Sequence, residues 1–197
     1  MNTESVDRRV RKTRRQLKEC LISLLKRKKV QEITVRELTD MADLNRGTFY
    51  LHYKDVYDLL EKTETELQTD FYELFQKYDA KDLHQRPAIL FKEIYTLVHN
   101  NADLIEILLG ENGDLNFVNR LKLLIREKCI HNWMEMFRTE NPIVFDPFCS
   151  FIVSGCVGMV QHWLQSGLKE TPDEMAHLTE LFITQGIHVL EGEADES

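Results

Sequence analysis

Polar and apolar positions alternate along this chain with a helical period almost from end to end. Leu17, Cys20, Leu21, Leu24 and Leu25 recur at three- and four-residue spacing within residues 8–27, and the opposite face carries Arg8, Arg11, Arg15 and Lys18. Thr34-Val35-Arg36-Glu37 then has the form of a capping box, in which the Thr hydroxyl and the Glu carboxylate each accept a backbone N–H of the first turn. It predicts a short helix near 35–42 with Leu38, Met41 and Ala42 inward. Asn45 caps a second short helix near 46–52. Asp55 caps a long one to about Lys77, along which Leu60, Leu67, Phe71, Leu74 and Tyr78 repeat.

The same punctuation continues downstream. Lys81 to Arg86 is a polar connection, and Pro87 starts a helix through about His99. Asn100 or Asn101 caps a segment to Leu109, Gly110 to Gly113 interrupts it, and Asp114 caps a long segment to about Arg138. Asp146-Pro147 pairs an N-cap with a proline at the first helical position and predicts a helix over 147–166, stopped by Gly167. Thr171-Pro172-Asp173-Glu174 repeats that start signal for a last helix to Leu190, and 191–197 form an acidic tail expected to be disordered. No Asn-Gly or Asp-Gly hairpin signal stands between alternating runs. The expected class is all-α with about nine helices.

Charge changes this picture from a plain helical protein to an asymmetric one. Across 197 residues the net charge is −8, which by itself argues against a polyanion partner. Residues 1–54, however, hold 14 Lys and Arg against 7 Asp and Glu, a balance of +7, leaving −15 for the remainder. A basic head on an acidic body marks a localised polyanion-binding surface. It separates a candidate DNA-binding head over 1–54 from a helical body over 55–190.

The head has helix-turn-helix spacing: two short helices joined by about three residues around Leu44. Leu38, Ala42, Leu44 and Phe49 are placed to pack these helices on the Leu17/Leu21/Leu24 stripe, which leaves Tyr50 pointing outward. Asn45, Arg46 and Thr48 lie where the side chains of a recognition helix meet base edges. Arg46 matches guanine O6 and N7, the Thr48 methyl a thymine methyl, and Gly47 allows close backbone approach. Tyr50, His52 and Lys54 suit phosphate contacts.

On these residues the chain resembles the TetR-type transcriptional regulators. The matching motif is Ile33 to Leu38 through Ala42, then Arg46-Gly47-Thr48-Phe49-Tyr50, His52-Tyr53-Lys54 and Leu59-Leu60, within about residues 8–62. The resemblance implies a three-helix reading head, a long fourth helix and an all-α C-terminal domain that dimerises through its last two long helices. It also implies repression relieved by a small molecule. Carried over by position, Thr34, Arg36, Arg46, Thr48, Tyr50, His52 and Lys54 form the DNA-contact set. Two positions depart from the family pattern. Asp43 stands in the turn where glycine is common, and Val56 where a phosphate-touching lysine is usual, a contact that Lys54, Arg11, Arg14 and Lys28 could replace.

Beyond the head, the effector pocket is expected among Phe91, Tyr95, His99, Trp133, Phe137 and Trp163, and a dimer face at Phe148, Ile152, Gly155, Met159 and His162. The uncharged stretch from Pro147 to Leu168 is long enough to span a bilayer, but it carries Ser150, Ser154, Gln161, His162, Gln165 and Ser166 and no flanking cationic cluster. It is expected to lie between protein surfaces in a cytoplasmic protein. Cys20, Cys129, Cys149 and Cys156 lack metal-ligand spacing, and no catalytic or cofactor motif is present, so neither an enzyme nor a metal site is expected. The expected partners are an operator duplex, a second copy and a small-molecule effector. The rival reading is a helical co-activator that has lost operator binding.

Overall fold

The computed structural model describes residues 3–78, 87–110, 115–137 and 142–186, and among them there is no strand. They form nine α-helices: α1 (Thr3–Leu25), α2 (Val35–Met41), α3 (Arg46–Tyr50), α4 (Val56–Gln76), α5 (Pro87–Asn100), α6 (Ala102–Leu109), α7 (Leu115–Phe137), α8 (Pro142–Gln165) and α9 (Pro172–Gln185). A short 3-10 turn, Val30–Glu32, lies between α1 and α2. The chain divides into two compact units, Met1–Gln68 and Thr69–Ser197, with the division falling inside α4. The sequence reading placed it at 54/55. The polar connection 81–86, the cap Asp114 and the tail 191–197 lie outside the described residues.

In the first unit, Leu17 and Leu21 of α1, Leu38 and Ala42 of α2, Phe49 of α3 and Val56 and Leu59 of α4 make one buried cluster, with Leu24, Leu25, Leu44 and Leu60 packed on it. Leu38 is buried and Met41 is half exposed at 51%, contrary to the expectation that both face inward. The reason lies in the helix period: Leu38 and Ala42 are one full turn apart and take the core-facing row, and Met41 is rotated off it. The polar links across this unit are few and specific. Gln16 Nε2 donates to the Ala42 carbonyl at 2.8 Å, tying α1 to the end of α2. Lys18 pairs with Glu66 of α4 at 3.3 Å.

The second unit is built on α5 against α9 and on α8 against α6 and α7. Trp163 and Tyr95 are its largest closed side chains, at 0% and 2% exposure, and their rings meet edge-on at 5.3 Å. Tyr95 Oη and Thr179 Oγ1 share a hydrogen bond of 2.7 Å, and the indole N–H of Trp163 donates to the Glu170 carbonyl at 3.0 Å. Burial pushes the Tyr95 phenol up to about 12. Gln161 reaches the Leu109 carbonyl at 2.9 Å, and exposed pairs Lys92–Asp173 (2.7 Å) and Arg126–Asp146 (3.0 Å) bridge neighbouring helices.

Two helices begin earlier than their start signals. α1 starts at Thr3 rather than near residue 8, and α8 at Pro142 rather than 147, with Pro147 inside it. Proline fixes φ at the value the first helical turn needs, so Pro142 serves as the start that the sequence reading gave to Pro147. α8 ends as expected. Gly167 N donates to Leu164 O and Leu168 N to Trp163 O, both at 3.0 Å, the paired bonds of a Schellman stop, with Gly167 at φ 82°. Within α8, Asp146–Gln165 is long and apolar enough to cross a membrane by length and composition, and 33% of that window is buried inside the chain.

Candidate nucleic-acid interface

The local hydrogen bonds of the head follow from its caps. Thr34 Oγ1 accepts from Glu37 N at 3.2 Å, while the Glu37 carboxylate accepts from Thr34 N at 3.1 Å. Lys28 bonds the same carboxylate, and this bond, ahead of that from Thr34, holds Glu37 below the usual carboxylate range. Lys28 is therefore engaged in fixing α2, a structural role that needs no DNA. Asn45 Oδ1 accepts from Thr48 N at 2.8 Å and from Thr48 Oγ1 at 3.0 Å. Asp55 Oδ1 accepts from Asp58 N at 2.8 Å and starts α4 as expected.

The turn between α2 and α3 is a Schellman stop built on an acidic residue. Leu44 N donates to Thr39 O at 2.9 Å and Asp43 N to Asp40 O at 3.4 Å. This geometry places Asp43 at φ 49°, in the left-handed region, which Asp is among the few residues other than glycine to tolerate. Asp43→Gly is accordingly expected to change the stability of the first unit by less than about 0.5 kcal/mol. Asp43→Val, whose branched Cβ collides there, should cost about 1–2 kcal/mol. Thermal melts of the two variants followed by circular dichroism check the difference; equal melting would place the strain elsewhere.

The nine residues singled out for DNA all lie in the first unit. Thr34, Arg36, Asn45, Arg46, Gly47, Tyr50 and Lys54 are exposed, and Thr48 and His52 are half-buried. Not all are equally available. Asn45 spends its side-chain oxygen on Thr48, Thr34 spends its hydroxyl on Glu37, and Arg36 faces Asp40 at 3.5 Å. A Cβ on Gly47 would stand 3.2 Å from Asn45 Oδ1, so this glycine also protects the cap. Burial, with a smaller contribution from Arg14, holds the His52 imidazole below its ordinary value. Asp58 fixes the segment after α3: its Oδ2 accepts from Lys54 N and from Lys62 Nζ, each at 2.9 Å, and Lys62 also lies over the Tyr53 ring.

Val56 is 5% exposed and belongs to the apolar cluster. The departure from a phosphate-touching lysine thus has a packing cause. Leu51, which the sequence reading passed over, is 80% exposed directly after α3, and Tyr50 is 58% exposed.

The residues expected around an effector are placed less openly. Tyr95 and Trp163 are closed core with their polar atoms engaged inside the chain. The Trp163 N–H finds its acceptor within the chain, at the Glu170 carbonyl. Phe91 is half-buried and His99 exposed, its ring 6.2 Å from that of Trp163. The side chains of Trp133 and Phe137 lie outside the described residues. On α8, Phe148, Gly155 and His162 are exposed, Met159 is half-buried, and Ile152 is 7% exposed. Ile152 therefore belongs to the chain's own core, since it lies about 100° around the helix from Phe151, which is 74% exposed and takes the outer face instead.

A basic three-helix head whose third helix closes a helix-turn-helix, followed by an all-helical second unit, defines a helical transcriptional regulator. Residues 85–185, half of the chain, match the family of TetR-type transcriptional-regulator C-terminal regions. The chain belongs to the TetR family of transcriptional regulators. It is 26% identical over 99 residues to the uncharacterised HTH-type transcriptional regulator YxbF of Bacillus subtilis (strain 168), an alignment covering 48% of this chain and 26% of that protein. This chain thus spans about a quarter of that relative's length. The TetR transcriptional regulator of Streptococcus agalactiae 2603V shares the fold at a TM-score of 0.58 and 24% identity, covering 92% of this chain and 99% of that one. FadR of Bacillus subtilis, solved in complex with stearoyl-CoA, shares it at 0.61 and 14% identity, covering 88% and 98%.

Proposed function

We propose that the chain is a cytoplasmic homodimeric repressor that grips a palindromic operator with paired heads and is released by a small molecule held in its second unit. The observation that carries this reading is the orientation of α3. Phe49 is wholly buried and anchors α3 on the core, while Arg46, Tyr50 and Lys54 are exposed. Arg46 then supplies a two-pronged donor for guanine, and Tyr50, His52 and Lys54 supply phosphate contacts. A single five-residue helix reads too few base pairs for a specific site, so function asks for two heads on a two-fold axis. The exposed row Phe148, Phe151, Gly155, Gly158 and His162 on α8 supports that pairing, since small residues let two helices approach closely.

The effector is proposed to bind residues of 69–186 and to shift the population between two head spacings, acting through α4. FadR, with the same fold, holds an acyl-CoA, which makes apolar acyl compounds the first class to test. Duplexes from the region upstream of its own gene provide the assay. Affinity is expected to fall linearly with log salt. Arg46→Ala should cost about 1–3 kcal/mol at one base pair and relax preference there, whereas Lys54→Ala should weaken every duplex alike and flatten the salt slope by about one. Fluorescence anisotropy across a salt series reads both. Absence of binding at low ionic strength would remove the reading in favour of a co-activator without its own operator.

A further inference from the structure

We propose that Leu51 is a specificity-determining residue that reads the methyl group of a thymine in the major groove. The proposal rests on the DNA-binding reading above and deepens it. The direction of α3 is fixed by Phe49, at 0% exposure on the core side. At 3.6 residues per turn, the row diametrically opposite Phe49 is Gly47 and Leu51, one turn apart. Leu51 keeps helical backbone (φ −70°, ψ −20°) and donates its N–H to the Gly47 carbonyl at 3.2 Å, so it continues that face.

Among the described residues of the first unit Leu51, at 80%, is the most exposed large hydrophobic side chain, ahead of Met41, Tyr50 and Tyr57. Gly47 beneath it has no side chain, which makes the Leu51 isobutyl group the foremost atoms of the outward face. Thr48, expected from sequence to meet a thymine methyl, is half-buried and its hydroxyl is held by Asn45. Leucine offers neither donor nor acceptor. The one apolar group on any base edge in the major groove is the C5 methyl of thymine. An apolar tip on the outward face of α3 is therefore complementary to that methyl, while Arg46 to one side addresses guanine.

The test separates this proposal from the reading beneath it. Duplexes are selected from a random pool with the full chain, and each thymine of the selected site is replaced symmetrically by deoxyuridine, which removes only the methyl. Wild-type affinity is expected to drop at one symmetric pair by about fourfold per half-site, the equivalent of one buried methyl group. Leu51→Ala should be insensitive to that same replacement and keep the wild-type salt slope and helical circular dichroism. If no uracil replacement weakens the wild type, or if each weakens both proteins equally, Leu51 does not read a methyl although DNA binding stands. Failure to select any duplex overturns both.

Discussion

Phe49→Ala is expected to unfold the first unit while Tyr50→Ala, one residue on, leaves it folded and impairs DNA binding. Phe49 is wholly buried against Leu17, Leu21, Leu38, Ala42, Tyr53 and Leu59, and its ring lies 5.7 Å from that of Tyr53. Truncating a buried phenylalanine costs about 3–5 kcal/mol, a large part of what a small domain has. Tyr50 touches the Phe49 ring edge-on at 5.5 Å, but more than half of it faces solvent, so its truncation should cost less than about 1 kcal/mol. The two tryptophans, Trp133 and Trp163, are both in the second unit, which makes the experiment selective. For Phe49→Ala in urea, part of the circular dichroism should be lost before tryptophan fluorescence changes. A single transition near the wild-type midpoint by both probes would remove Phe49 from the centre of this core.

Phe151→Asp is expected to convert the proposed dimer to monomer and to abolish tight operator binding. Phe151 is 74% exposed on the outer row of α8 beside Gly155, Gly158 and His162. If that row meets its copy across a two-fold axis, the variant confronts two buried carboxylates. Like charges and their desolvation cost several kcal/mol, enough to weaken pairing by about a hundredfold or more. Multi-angle light scattering reads the mass, and anisotropy on a two-half-site duplex reads the consequence for DNA. Ile152→Asp makes a useful contrast: that residue is 7% exposed within the chain, so its change should lower the melting temperature rather than the assembly state alone. A dimeric Phe151→Asp protein with unchanged affinity would place the pairing surface on another helix.

The contrast between these neighbouring pairs shows where sequence patterns suffice. In the head, Leu38, Phe49 and the Leu17/Leu21 stripe stand among charged residues, so a helical period names most of the buried row, with Met41 the exception. On α8 nearly every residue is apolar or small, and the period carries little contrast. Phe148 and Ile152 look equivalent on the page, yet one faces out and the other in. Val56 and Leu51 carry no such signal for a related reason: each stands at a helix edge, where one residue of rotation exchanges core for solvent. The buried indole N–H of Trp163 needs an acceptor, and only the fold brings the Glu170 carbonyl to it.

The amino-acid sequence by itself determined the helix starts and stops that depend on bonds within three to five residues: Thr34 with Glu37, Asn45 with Thr48, Asp55 with Asp58, Thr171 with Glu174, and the left-handed turn at Asp43. These are short-range, so the chain encodes them before it folds. Tertiary structure alone decided which apolar faces close on each other and which remain open. It joined Tyr95 to Thr179 across 84 positions, drew Val56 into the core and left Leu51 and Phe151 in solvent. Burial is a property of what packs on top of a residue, and no local pattern contains that information.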